Sequence, residues 1–389
     1  MSSPSAPSSG SHGSTPAPDL GAAALPGPGD RLPYLPALDK LRGLAVLLVL
    51  FTHTPHHLKG EVGLVLQKWL VPGYLGVDIF FALSGFLITR ILLYEKDRGG
   101  SIPAFWMRRA VRIFPAFYLL VVVMAVVAPG PELPWVATYL SNIHFLGPNS
   151  SPLGHTWSLA VEEHFYLVWP LLVLGLSRRG ARRAVLYGML PLALATALVV
   201  VRVWPDEQLG LLGHLTPARI LTLSLGSLLA FHERGLWRRP VTTSLLAVGV
   251  GTLGYVWGAA GFLVPALRGA VGLHQLFGLA LVSTAVTVLF LQGGRLPWPR
   301  ATALVGGPLA WVGRISYGLY LYHLPIFFAC GLHGSAEPAT HGRAALALGL
   351  TLVTAVTSFH LFERPLLAWG SRFRVGERRG AADGPVDAG

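Results

Sequence analysis

The sequence predicts an all-α, polytopic membrane protein, and three observations carry that prediction. Hydrophobic residues fill 52% of the 389 positions and charged residues 12%, about half the charged share of an ordinary soluble protein. Apolar runs of ~20 residues recur along the whole chain, each long enough to cross the hydrocarbon core of a bilayer. These runs do not alternate polar with apolar positions, which excludes the strands of a membrane barrel.

Residues 1–36 are rich in Ser, Pro, Gly and Ala and contain no apolar run. They lack the basic start and hydrophobic centre of a signal peptide and are expected to form a disordered cytoplasmic tail. About ten transmembrane helices follow, near 40–57, 73–94, 110–128, 156–176, 184–204, 217–233, 241–259, 273–292, 308–331 and 343–363. Together they define a membrane domain at 37–366. The longest external loop, 129–154, is rich in Pro and Gly, and Trp and Tyr at 135–143 favour a short interfacial helix there. Residues 95–112 form the most charged internal loop, and 367–389 are expected to be a basic, disordered tail.

Basic residues cluster in alternate connections. Lys96, Arg98, Arg108, Arg109 and Arg112 form one cluster, and Arg178, Arg179, Arg182 and Arg183 the next. Arg234, Arg238 and Arg239 follow, then Arg295 and Arg300, then Arg372, Arg374, Arg378 and Arg379. The connections between them hold chiefly Lys59, Lys68, Arg268 and Arg343. This is the positive-inside pattern, and with an even number of spans it puts both termini in the cytoplasm. The formal charge of +12 therefore needs no nucleic-acid partner. The single cysteine, Cys330, excludes an intramolecular disulfide and reads as an inert packing residue.

The candidate chemistry starts on the first span. His53 follows Arg42 by eleven residues, so both project from nearly the same helix face, ~16 Å apart along the axis. An Arg in hydrocarbon costs roughly 2–3 kcal/mol or more without partners or water. The pair points to a reaction centre reached from the cytoplasmic side, with His53 as general base. His56 and His57 lie beside it, but no carboxylate joins them at ligand spacing, and no metal is expected.

The fourth span opens with the segment from His155 to Tyr166. Its adjacent Glu162 and Glu163 point about 100° apart and so take different roles. One is expected towards the outer ends of other helices, the second against a cation, for which Arg42, Arg90 and Arg314 are the candidates. Arg109 and Arg112, three apart, share a helix face and form a fork suited to phosphate oxygens. Asp78 sits near the outer end of the second span and is expected at the outer interface, while Ser84 and Gly85 permit close helix packing. Tyr320 and His323, also three apart, share a face of the ninth span, with membership of an aromatic belt as the alternative role. Phe362-Glu363-Arg364-Pro365 closes the last span as an anchor. A transporter or flippase for a glycan or lipid-linked sugar would share the polytopic form and buried charges. Without an internal repeat, that alternative loses its usual architecture.

In order along the chain stand Arg42 and His53, the Val77-Asp-Ile-Phe-Phe-Ala-Leu-Ser-Gly-Phe86 stretch, and Arg109 with Arg112. Trp157-Ser158-Leu159 with Glu162-Glu163, the run from Ile315 through Tyr317 and Tyr320 to His323, and Glu363-Arg364-Pro365 complete the set. Six such motifs in this order resemble the acyltransferase 3 family of integral membrane acyltransferases, over residues 36–365. The resemblance implies transfer of an acyl group, commonly acetyl, from cytoplasmic acyl-CoA to a hydroxyl of a carbohydrate, glycolipid or macrolide-like acceptor. It implies a multi-pass protein of the bacterial inner (plasma) membrane, in contact with membrane lipid. The chain ends soon after Arg364, as in the stand-alone type without a C-terminal hydrolase-like domain, which leaves room for a separate acyl-handling protein. On this reading His53 is catalytic, either deprotonating the acceptor hydroxyl or itself receiving the acyl group, with Glu162 or Glu163 orienting its ring, and Arg42, Arg109 and Arg112 hold the acyl-CoA. Asp78, Tyr317 and His323 are further candidates.

Overall fold

A computed structural model describes residues 32–55, 74–146, 151–293, 301–334 and 339–370. Most of the two expected tails, together with His56 and His57, lies outside these residues. Among the described residues all regular secondary structure is helical. The main helices are α1 (Pro36–His53), α2 (Leu75–Lys96), α3 (Ile102–Val127) and α4 (Trp157–Gly175). Next come α5 (Arg178–Val203), α6 (Thr216–Phe231), α7 (Pro240–Leu263) and α8 (Val271–Gly293). The last are α9 (Ala301–Arg314), α10 (Ser316–Ala329) and α11 (His341–Ser358), which continues through a π turn at Phe359–Glu363.

Six of the described helical stretches are both long and apolar enough to cross a membrane: Leu75–Lys96, Ile102–Val127, Arg178–Val203, Pro240–Gly261, Ala266–Gly293 and His341–Trp369. The other four expected spans are helical but fall short. α1 carries Asp39, Lys40 and Arg42 within 18 residues, and Glu162, Glu163 and His164 lower the hydropathy of α4. α6 has 16 residues, and α9 and α10 have 14 each, parted at Ile315. Buried polar residues lie on both kinds of helix, among them Asp78, Ser84, Thr89, Arg90 and Glu95 of α2 and Arg219, Thr222, Ser224 and Ser227 of α6. Four of the apolar helices form the outer shell: α3, α5, α7 and α11 are buried over 17–28% of their spans, against 83% for α2. Their exposed side chains, such as Val122, Val126, Leu198, Leu245, Leu253 and Val353, suit hydrocarbon. This is a membrane protein built around α2.

Glycine sets how closely the inner helices approach. A Cβ on Gly85 of α2 would strike the Leu223 carbonyl of α6, and one on Gly226 of α6 would strike the Ala82 carbonyl of α2. Gly43 of α1 and Gly313 of α9 meet each other's backbone in the same way, at Leu309 and Asp39. Such contacts replace a hydrophobic driving force between helices in lipid. Gly85→Val is therefore expected to push α2 from α6 and destabilise the protein by about 1–3 kcal/mol. A drop in the thermal midpoint of the detergent-solubilised protein checks this, and an unchanged midpoint contradicts it.

Two buried ion pairs join α2 to its neighbours. Arg219 of α6 donates to Asp78 at 2.8 Å, Thr222 donates to the other carboxylate oxygen at 2.8 Å, and the guanidinium lies over Phe81 and Trp157. Asp78 is thus wholly enclosed (0% exposed), because it faces a cation on α6. Arg90 pairs with Glu233 at 2.8 Å and also donates to the Pro33 carbonyl. It does not pair with either glutamate of α4.

The expected interfacial helix is two short ones, Leu133–Ala137 and Ser141–His144. Tyr139 breaks them apart with φ at +56°. Its ring stacks on Phe117 with centroids 4.4 Å apart, and that aromatic burial offsets the local strain.

Candidate active site

Three arginines from two helices meet on one cavity. Arg42 stands on the second turn of α1, held by Asp39 one turn earlier at 2.9 Å, and Asp39 in turn accepts from the Tyr34 hydroxyl. Arg109 and Arg112 come from the third turn of α3. Ser101 caps that helix by accepting from the Ala104 N–H, which fixes where the turns carrying both arginines begin. The Arg109 guanidinium packs 5.0 Å from the Tyr166 ring centroid and 5.7 Å from that of Phe105. Arg108, just before Arg109 in sequence, turns away to pair with Glu95. Tyr317 of α10 lines the same cavity, and its hydroxyl donates to the Ile113 carbonyl of α3 at 2.8 Å.

The middle of the cavity is walled by a carboxylate and two hydroxyls. Ser84 Oγ donates to Glu162 Oε1 at 2.6 Å, and the Tyr166 hydroxyl lies 3.2 Å from Glu162 Oε2 and 3.1 Å from Ser84 Oγ. Glu163 shares the field of Arg109 but does not line the cavity. Ser158 and Tyr320, bonded to each other through their hydroxyls, close the end away from the arginines.

Beyond Tyr320 lies a cluster of imidazoles. His53 Nδ1 is 3.0 Å from the Val49 carbonyl and 3.4 Å from His323 Nε2, with the two ring centroids 4.9 Å apart. His323 Nδ1 meets the Tyr320 carbonyl at 2.7 Å. His155, at the entry to α4, is 5.0 Å from His323 centroid to centroid and donates through Nε2 to the Leu321 carbonyl at 3.0 Å. His333 fixes the end of α1 by donating to the His53 carbonyl at 2.7 Å. Tyr320 belongs to both halves of the site: it lines the cavity, and its ring lies 5.7 Å from His323 and 5.5 Å from His155.

Arg42, Arg109, Arg112, Glu162 and Tyr317 are thus gathered at the cavity, and His53 and His323 at the imidazole cluster. Asp78 stands apart with Arg219. The carboxylate expected beside His53 is engaged elsewhere, since both Glu162 oxygens face Ser84 and Tyr166. The reason is helical rise. Glu162 lies seven residues past His155, ~10 Å along α4, and it is His155 that comes level with the outer end of α1. Sequence reasoning passed over His155, Ser84, Tyr166 and Arg219 as functional or pairing groups. Matching the rise of α4 against that of α1 would have singled out His155.

The family model described as an acyltransferase domain matches residues 35–360. A peptidoglycan O-acetyltransferase of Listeria monocytogenes is 30% identical over 86% of this chain and 56% of its own length. A putative peptidoglycan O-acetyltransferase of Bacillus subtilis is 30% identical over 87% of this chain and 56% of its own. A putative O-acetyltransferase of Staphylococcus aureus is 26% identical over 86% of this chain and 58% of its own. The chain spans little more than half the length of these relatives. No solved structure matches it significantly. With its polar core inside an apolar shell and this match over most of its length, the chain belongs to the acyltransferase 3 family.

Proposed function

We propose that this chain is a membrane O-acyltransferase of the bacterial inner membrane that moves an acyl group, acetyl foremost, from cytoplasmic acyl-CoA to a carbohydrate hydroxyl. One observation carries the reading. Arg42, Arg109 and Arg112 converge on a cavity whose far end, at Tyr320, abuts the imidazoles of His53 and His323. Arginine forks suit phosphate oxygens, so the nucleotide end of the donor binds at the arginines. Its thioester then extends past Ser84 and Glu162 towards Tyr320 and displaces that hydroxyl from Ser158. The positive-inside pattern puts the arginine end at the cytoplasm.

In this mechanism His53 takes the proton of the acceptor hydroxyl as the oxygen attacks the thioester carbonyl carbon. The carbon–sulfur bond then breaks, and the departing thiolate takes the proton back from the imidazolium, giving free CoA. Glu162 neutralises part of the arginine charge and orders Ser84 and Tyr166 along the donor path. The relatives' names point to peptidoglycan as one acceptor, and they favour transfer over the transport alternative.

The test is the full chain in nanodiscs with radiolabelled acetyl-CoA and a cell-wall glycan acceptor, without any ion gradient. Label transfer to the glycan is expected. The absence of both donor binding and label transfer would overturn the reading. Arg109→Ala is expected to raise the donor KM ~10- to 100-fold, as for loss of a charge-assisted hydrogen bond, with a much smaller change in kcat. An unchanged KM with a reduced kcat would contradict the assignment of Arg109.

A further inference from the structure

The ring beside His53 is another imidazole, in the position where hydrolytic triads hold a carboxylate. The proton positions in this pair follow from what each nitrogen faces. A backbone carbonyl only accepts, so a ring nitrogen within hydrogen-bond distance of one carries the hydrogen. His323 Nδ1 faces the Tyr320 carbonyl at 2.7 Å and is therefore protonated, which leaves a lone pair on its Nε2. That lone pair faces His53 Nδ1 at 3.4 Å. His53 Nδ1 also faces the Val49 carbonyl at 3.0 Å, so it carries a hydrogen shared between the carbonyl and His323. The neutral His53 ring then has its basic lone pair on Nε2.

His323 is suited to this task by its surroundings. It is 0% exposed, and Phe327 packs edge-on against it on the next turn. His155 also packs against it and carries a hydrogen on Nε2, which faces the Leu321 carbonyl. The His155 Nδ1 lone pair is buried and has no hydrogen-bond partner among the described residues. His53 packs on His323, which itself packs on His155. A cation formed on His53 has the His323 Nε2 lone pair beside it.

We infer that His323 is the positioning residue of the general base: its Nε2 receives the His53 Nδ1 hydrogen, presents His53 Nε2 to the acceptor hydroxyl and steadies the imidazolium formed during transfer. This deepens the reading of His53 as the base and rests on it. When the acceptor proton arrives on His53 Nε2, the positive charge is shared along the Nδ1–H bond to His323. The proton returns from Nε2 to the leaving thiolate, and His323 ends the cycle unchanged.

The experiment compares His323→Phe and His323→Gln with wild type and His53→Ala, all as the full chain in nanodiscs. It measures kcat, donor KM and thermal midpoint with acetyl-CoA and the glycan acceptor. Phe fills the site but accepts nothing, whereas the Gln side-chain oxygen falls where His Nε2 was. His323→Phe is expected to lower kcat about 10- to 100-fold at unchanged donor KM, as for loss of a buried acceptor. His323→Gln is expected to restore most of that loss. A His323→Phe enzyme within twofold of wild type, or a His323→Gln enzyme no better than His323→Phe, overturns the inference. If the Phe variant does not fold, the Gln variant decides: a kcat within about tenfold of wild type supports the inference, and a larger loss overturns it. An active His53→Ala enzyme would instead remove the reading beneath it, so the two failures are distinguishable.

Discussion

Replacing His53 with alanine is expected to lower acyl transfer by ~10²–10⁴-fold while the protein stays folded, the usual contribution of a positioned general base. The ring ends α1 and is half-buried, with its backbone carbonyl tied to His333. The substitution removes that ring but leaves the backbone groups that close the helix. Arg42 lies ~16 Å away along α1 and lines the cavity with Arg109 and Arg112 of α3, so donor binding is expected to persist. The measurement is kcat and donor KM on membranes matched for folded protein. A His53→Ala enzyme with full turnover would remove the imidazole from the mechanism. A large rise in donor KM at constant kcat would move it to the binding site instead.

The second large effect concerns folding. Asp78→Ala is expected to destabilise the protein by about 3–5 kcal/mol, because it strands Arg219 as a buried, unpaired cation. The pair is almost wholly enclosed, with side-chain exposures of 2% and 0%. Removing one charge therefore leaves the other without water or a counter-ion. Replacing both, as Asp78→Ala with Arg219→Met, is expected to recover much of the loss, since no unpaired charge then remains at that contact. The yield of monodisperse protein after solubilisation, and its thermal midpoint, report this. A single variant as stable as wild type, or a double variant worse than the single, would show that the pair does not hold α2 to α6.

What the sequence made legible follows from local periodicity. Over their described residues the apolar runs fall largely on helices, because run length and the lack of alternation are properties of neighbouring residues. Gly85 was readable as a close-packing position for the same reason. What it hid depends on partners far along the chain. Asp78 finds Arg219 141 residues later, and His53 finds His323 270 residues later. No spacing rule reaches that far. The glutamates of α4 drew attention as the carboxylates of a polar helix start, yet helical rise sets them below the imidazoles and level with Ser84. Arg42, Arg109 and Arg112 were each noticeable as cations in apolar surroundings. Their convergence on one cavity follows only from the packed arrangement of α1, α3 and α4.

That geometry is tested most directly by a cryo-electron microscopy structure of the full chain in nanodiscs with a non-transferable thioether analogue of acetyl-CoA. The account predicts the analogue's phosphates on Arg109 and Arg112 and its acetyl carbon beyond Tyr320, facing His53 Nε2 with room for an acceptor oxygen ~3–3.5 Å from that carbon. An analogue seated with its phosphates away from the three arginines, or with its acetyl end out of reach of the His53 ring, would contradict it.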